Sequence, residues 1–278
     1  MTAFTLKVIA LTTMVLDHMG VVFPEIFGFE FRVIGRVAFP LYVFLIAQGF
    51  RHTKSPGKFL ARLFAFAIIS EPFFDWALRG AALSFGAGGV NFLAHTNIFY
   101  TLFLGGLAIV AYEKIRQTEL PPPDISNAYW TNRNTFAKLM VGAFGFDTYH
   151  HIREKLKQVA AFAPVAACAA LAQYGLTTDY GAYGVLFIFA MYVVRRKGLS
   201  LAVMAGFCIW QHWWVLQDAY ADGVAHIPAI VWLMFPATLT AVALVAFYNG
   251  KRGPGFKWFF YAAYPAHLAI LALLLHVM

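Results

Sequence analysis

Asp17 and His18 stand side by side in an apolar run that includes Leu6, Val8, Ile9, Ala10, Leu11, Met14, Val15 and Leu16. An imidazole takes and returns a proton near neutral pH. A charged group near the centre of a bilayer costs roughly 2.5–3.5 kcal/mol, so it normally faces a polar cavity and marks a functional position. Glu71 and Asp75 form a second pair, spaced by four residues and hence on one face of a helix, one turn apart. Two carboxylates in a low dielectric cannot both ionise cheaply unless a cation compensates. Arg36 is the obvious cation, and the expectation is one coupled group of Arg36, Glu71 and Asp75. His267 lies in the last apolar stretch. Counted at 1.5 Å per residue from one end of their helices, His18, Glu71 and His267 share a level roughly 16–21 Å deep. The reading makes Asp17-His18 the hub of a polar cavity.

The elements that must hold these groups are membrane helices. Of 278 residues 61% are hydrophobic and only 12% charged, which excludes an ordinary soluble domain. Aromatic residues reach 18%, with Trp and Tyr near segment ends as in interfacial belts. The predicted fold is an all-α integral membrane protein, a bundle of about nine transmembrane helices in one domain over residues 1–278. The predicted spans are about 4–23, 33–50, 58–78, 97–114, 156–175, 181–195, 199–216, 227–248 and 256–277. A soluble-looking insert at about 115–155 contains Pro121-Pro122-Pro123 and an amphipathic pattern from Phe136 to Phe144. The loop at 80–89 is glycine-rich and could lie over a site that opens outward.

Sixteen of the 21 lysines and arginines fall in four alternate connections. By the positive-inside rule these connections are cytoplasmic, and so is the N-terminus. The net charge of +8 is therefore first an orientation signal, and its scatter over four loops argues against nucleic acid as a partner. Cys168 and Cys208 sit in apolar runs and suggest neither a disulfide nor a zinc site. The adjacent His150-His151 lacks the i,i+4 spacing of helical metal ligands, so no metal is expected.

Six pieces of the chain, in order, carry a family resemblance: LKVIALTTMVLDHMG, RVIGRVAFPLYVFLIAQGFRHT, KFLARLFAFAIISEPFFDWAL, TNIFYTLFLGGLAI, TDYGAYGVLFIF, and FYNGKRG with FFYAAYPAHLAIL. The sequence resembles the TraX family of membrane acetyltransferases, associated with N-terminal acetylation of conjugative pilin. It departs from that pattern at Gln48, where the family usually has glutamate, and in a longer insert after the fourth span. The resemblance implies a bacterial inner-membrane enzyme moving an acetyl group from cytoplasmic acetyl-CoA to an amine or hydroxyl. Pilin or another peptide N-terminus is the favoured acceptor, and a glycan is the alternative. Acyl transfer needs a base and oxyanion donors. His18 falls on the position of the early-helix histidine of related acyltransferases, as base or transient acetyl carrier. Asp17, Glu71, Asp75, Arg36 and His267 complete the expected catalytic set. Asn97, Asp179 and Tyr180 are the expected acceptor-side residues. Arg51, Lys54, Lys58, Arg62, Lys251 and Arg252, with Lys257, are the cations that could receive the phosphates of the cofactor. A proton-coupled transporter and a non-catalytic pilus or envelope assembly factor are the competing readings.

Overall fold

A computed structural model describes residues 1–85, 89–120, 135–221 and 229–277. Apart from a short ladder between β1 (Ala82–Phe85) and β2 (Gly89–Val90), the described chain is helical. Thr2 opens α1 (Ala3–Val22) by accepting the N–H of Thr5 at its side chain. Then α2 (Pro24–Gly35) starts on Pro24, breaks at Gly28 with a left-handed φ of 62°, and ends in the turn at Arg36-Val37. After it, α3 (Ala38–His52) sets off at about 40°. The expected span at 33–50 is therefore two elements, with Arg36 at the break.

Pro56 begins α4 (Pro56–Arg79), and Gly80, in the left-handed region, ends it. Asn97 caps α5 (Ile98–Gln117), its side chain accepting from Phe99 N–H at 2.9 Å. Of the insert, residues 121–134, with the triple proline, lie outside the described residues. The amphipathic stretch is α6 (Thr135–Phe144), with Leu139 and Phe144 exposed. It is followed by α7 (Phe146–Ala160) and α8 (Ala163–Ala170), which ends in a π-helical turn at Leu171–Gly175. The remaining helices are α9 (Gly181–Val193), α10 (Lys197–Ala221), α11 (Ala229–Ala246) and α12 (Lys257–Val277).

Among the described residues, five helical stretches are long and apolar enough to cross a membrane: Ala3–Val22, Ile98–Gln117, Asp147–Gly175, Lys197–Gln217 and Lys257–Val277. Counting α2 with α3 as one broken span makes six. Nine crossings would require adding the shorter apolar α9 and α11 and also α4, whose Lys58, Arg62, Glu71, Asp75 and Arg79 lower its hydropathy.

The core lies where α1, α3, α5, α9 and α12 meet, around the fully buried Leu6, Leu41, Leu104, Ile188 and Leu268. Lipid offers apolar side chains no hydrophobic advantage on one helix face over another, so close packing of small residues does the work. Gly105 and Gly184 illustrate this between α5 and α9: a methyl group at either position would collide with Ile188 or Thr101.

Two sets of contacts define the ends of the bundle. At the proximal end Ala3 and Phe4 donate their backbone N–H groups to the carbonyls of Lys251 and Arg252, at 2.9 and 3.0 Å. This ties the start of α1 to the connection before α12. At the distal end, where α1 finishes, Asp179 N–H donates to the Thr96 carbonyl at 2.9 Å and joins the start of α5 to the start of α9.

Candidate functional site

The proximal tie has a direct consequence for the two histidines. His18 and His267 lie almost equally far along the chain from it, on helices running the same way, and the structure brings them together. His18 Nδ1 and His267 Nε2 are 2.7 Å apart, and His267 Nδ1 lies 2.9 Å from the Ala263 carbonyl. A carbonyl oxygen only accepts, so His267 Nδ1 must carry hydrogen. In a neutral pair His267 Nε2 is then the acceptor and His18 Nδ1–H the donor. The unprotonated nitrogen of the pair is His18 Nε2. Tyr264, one turn before His267, stands edge-on to both rings.

Asp17, next to His18, points to a different partner. Arg36 Nη2 donates to its Oδ1 at 2.6 Å and Arg32 Nη1 to its Oδ2 at 3.4 Å, while Arg36 Nε donates to the Arg32 carbonyl at 3.1 Å. Gly35 makes room for this cluster, because a Cβ there would run into the Asp17 side chain. Asp17, His18, Arg32 and Arg36 line a cavity of about 350 Å³ with Phe39, Tyr42, Phe74, Gln211, Asp179, Tyr180 and Tyr264. Tyr180 lies flat on Phe39, with ring centroids 3.4 Å apart.

The expected coupling of Arg36 with Glu71 and Asp75 is not what the chain forms. Glu71 is fully buried, and its Oε2 accepts from Asn97 N–H at 3.0 Å and Asn97 Nδ2 at 2.6 Å. Asn97 Nδ2 also donates to the Ala67 carbonyl at 2.8 Å. Glu71 thus satisfies an N–H at the start of α5 that has no partner within its own helix. Asp75 accepts from Arg79 Nη1 at 2.9 Å and from Asn91 N–H at 2.7 Å. Both acids hold the segment 91–98 onto α4. Neither they nor Asn97 line the cavity, whereas Asp179 and Tyr180 do.

The segment they hold meets the connection before α9 in an unusual way. His95 and Thr177 both adopt left-handed backbone, with φ of 55° and 41°, and His95 N–H donates to Thr177 Oγ1 at 2.6 Å. Such conformations cost on the order of 1–3 kcal/mol each and persist where the surroundings over-determine them. They form the rim of a second cavity of about 420 Å³, lined by Phe74, Arg79, His95, Thr177, Thr178 and Asp179.

The proximal cations divide into two groups. Arg51 is committed to the last turn of α9, donating to the Tyr192 carbonyl at 3.1 Å through Nε and to the Val194 carbonyl at 2.6 Å through Nη2. Its Nε and Nη2 are thereby held at the end of α9. Arg62 lies against the ring of Phe59. Lys54, Lys58, Lys251, Arg252 and Lys257 are exposed.

Sequence reasoning passed over Arg32, Tyr42 and Gln211 as site residues. For Arg32 a signal exists, because it precedes Arg36 by one helical turn. Tyr42 and Gln211 carry none, as each is one polar group in an apolar helix.

Comparison with known proteins agrees with the sequence reading at the family level. The chain is 29% identical over 278 residues to "Probable fimbrial assembly protein FimC, serogroup H1" of Dichelobacter nodosus, an alignment covering 97% of this chain and 93% of that protein. No solved structure matches it. The family described as "TraX protein" matches residues 3–121 and 118–275. With nearly its whole length matched, the chain belongs to the TraX family.

Proposed function

We propose that the protein is a membrane acetyltransferase that takes the acetyl group of acetyl-CoA and passes it to an amine or hydroxyl, with the N-terminus of a pilin or other peptide favoured. The observation that carries this reading is the chain from the Ala263 carbonyl through His267 to His18, which leaves His18 Nε2 unprotonated on a residue that lines the cavity. A base in that state is what acyl transfer requires.

In the proposed reaction the acceptor nitrogen or oxygen bonds to the carbonyl carbon of the thioester while its proton passes to His18 Nε2. The tetrahedral intermediate then collapses, the C–S bond breaks, and the proton returns to the thiolate. The products are the acetylated acceptor and free CoA. Arg36 and the hydroxyls of Tyr42 and Tyr180 are the cavity donors suited to the oxyanion. Asp17 accepts from both guanidiniums and fixes their direction. We place the proximal end in the cytoplasm of a bacterial inner membrane, where the exposed Lys54, Lys58, Lys251 and Arg252 can meet the cofactor phosphates.

A second reading has support of its own, since the relative from Dichelobacter nodosus is named an assembly protein. A non-catalytic assembly factor would not depend on the base at His18. The deciding experiment gives purified protein in lipid vesicles acetyl-CoA labelled in the acetyl group, with a pilin N-terminal peptide as acceptor. Label in the peptide with wild type and none with His18→Ala is the expected result. Equal labelling by both proteins, or by neither, removes the acetyltransferase reading.

A further inference from the structure

The two cavities share two lining residues, Phe74 and Asp179. The inner cavity holds His18 and the outer one lies at the distal end beneath His95 and Thr177. Asp179 is thus the acid on the wall that the two cavities have in common. Its backbone is pinned, N–H to the Thr96 carbonyl, and the flanking Thr178 is held by Thr101 Oγ1 at 2.9 Å. The Asp179 carboxylate itself forms no ion pair within 4.0 Å among the described residues. The cations of the two cavities are otherwise engaged: Arg32 and Arg36 by Asp17, and Arg79 by Asp75. A fixed acid on the wall shared by two cavities, with Arg32 and Arg36 nearby but bonded to Asp17 instead, can receive a positively charged group.

We propose that the outer cavity is the mouth through which the acceptor enters and that Asp179 receives it as a primary ammonium, which selects amines over hydroxyls. The inference rests on the acetyltransferase reading and names the part of the acceptor that is recognised. It also completes the proton balance. An ammonium carries one proton more than the amine that attacks a thioester. Asp179 takes that first proton and releases it to water in the outer cavity, and His18 takes the second when the C–N bond forms. The two left-handed residues fit this role, since a rim held in one conformation keeps the carboxylate in place before the ligand arrives.

The test uses full-length protein in detergent with two probes, alanyl-alanine amide and its N-acetylated counterpart. The free amine should raise the thermal midpoint of the wild type and the acetylated probe should not. Asp179→Asn should weaken the effect of the free amine by about tenfold or more, the range expected on losing a hydrogen-bonded charge. CoA should stabilise both proteins alike. Should Asp179→Asn fail to fold, water-soluble carbodiimide offers a measurement on the wild type, because it joins a bound amine to the carboxylate beside it. Peptide mapping should then place alanyl-alanine amide on Asp179. Equal stabilisation by the two probes, an Asp179→Asn protein that responds like wild type, or coupling confined to other acids would overturn the proposal. Binding that depends on Asp179 without acetyl transfer would leave this site standing and remove the proposed activity. Transfer without dependence on Asp179 would do the reverse.

Discussion

On α1, Asp17 meets two guanidiniums, His18 meets an imidazole, and both residues border a cavity. On α4, Glu71 and Asp75 meet backbone N–H groups of the chain that follows them. Both regions place ionisable side chains in an apolar bundle, and the same argument from membrane cost singles out all four. The difference lies in what remains after the partners are counted. His18 keeps an unprotonated nitrogen and lines a cavity. Asp75 has both oxygens engaged, and Glu71 is closed off from the cavity although its Oε1 has no partner. Burial of an ionisable group thus signals a requirement without saying whether it is chemical or architectural. The partner decides.

The largest expected effect separates the regions by activity. His18→Gln keeps a hydrogen-bonding side chain but cannot take the proton, so acetyl transfer should fall by about 10²–10⁴-fold. Binding of CoA should be unchanged. Glu71→Gln keeps an acceptor for Asn97 and should retain transfer within about tenfold. Comparable loss in the two variants, measured by acetyl incorporation, would erase the distinction.

Stability should separate them next. Asp17→Ala strands Arg32 and Arg36 and should cost about 3–5 kcal/mol, the usual result of removing one partner from a buried pair. Combined with Arg36→Leu the loss should be smaller than the sum of the single losses. Arg36→Leu with Glu71→Gln should be additive, because those residues do not touch. Denaturation midpoints of the five single and double variants are sufficient, and coupling in the second pair would reinstate the expected Arg36–Glu71 group.

His267 offers a finer distinction, between a group that reacts and one that orients. His267→Ala should lower kcat by about 10–100-fold, the range for losing a group that only orients another, with little change in KM for acetyl-CoA. Nitrogen NMR of labelled histidine should show His18 shifting from one neutral tautomer to a mixture. An unchanged tautomer would mean that the imidazole pair does not set it.

The smallest effect is a dependence on pH. Asp179, in the connection between α8 and α9, has its carboxyl pushed up to about 6, chiefly by burial; Asp17 adds to the rise, and Arg36 and Arg32 oppose it. Tyr180 and His18 share the inner cavity with Asp179, and Arg79 and His95 share the outer one. Asp179 is charged above that value and neutral below it, so binding of alanyl-alanine amide should weaken as pH falls through about 6. Asp179→Asn should bind it with little pH dependence. A flat wild-type profile from pH 5 to about 7.5 would count against a charged Asp179 as the receiving group.

The histidines were legible in the sequence because residue type and apolar surroundings suffice to mark them. The pairing of Arg36 was not. Hydropathy merges residues 33–50 into one span and turns Arg36 toward α4, whereas the break at Arg36-Val37 directs it back to α1, and Gly35 admits the contact. Glu71 misled for a related reason: the demand of the α5 N-terminus for an acceptor is invisible until α4 and α5 are docked. Arg51 reads as one more proximal cation, and its bonds through Nε and Nη2 to carbonyls at the end of α9 carry no signal in the sequence. Composition tells which groups need partners, and helix breaks and helix ends decide which partners they find.

The hydrogen bonds from Ala3 and Phe4 to Lys251 and Arg252 also restrict how this chain can change in length. With the connection before α12 held there, one residue added or removed inside α12 between Lys257 and His267 would turn the imidazole by about 100° and displace it by about 1.5 Å. Either change would take Nε2 away from His18. A relative that uses the same pair can therefore vary freely in residue type along that arm, but a gain or loss there needs a matching change in α1 or a bulge that absorbs it.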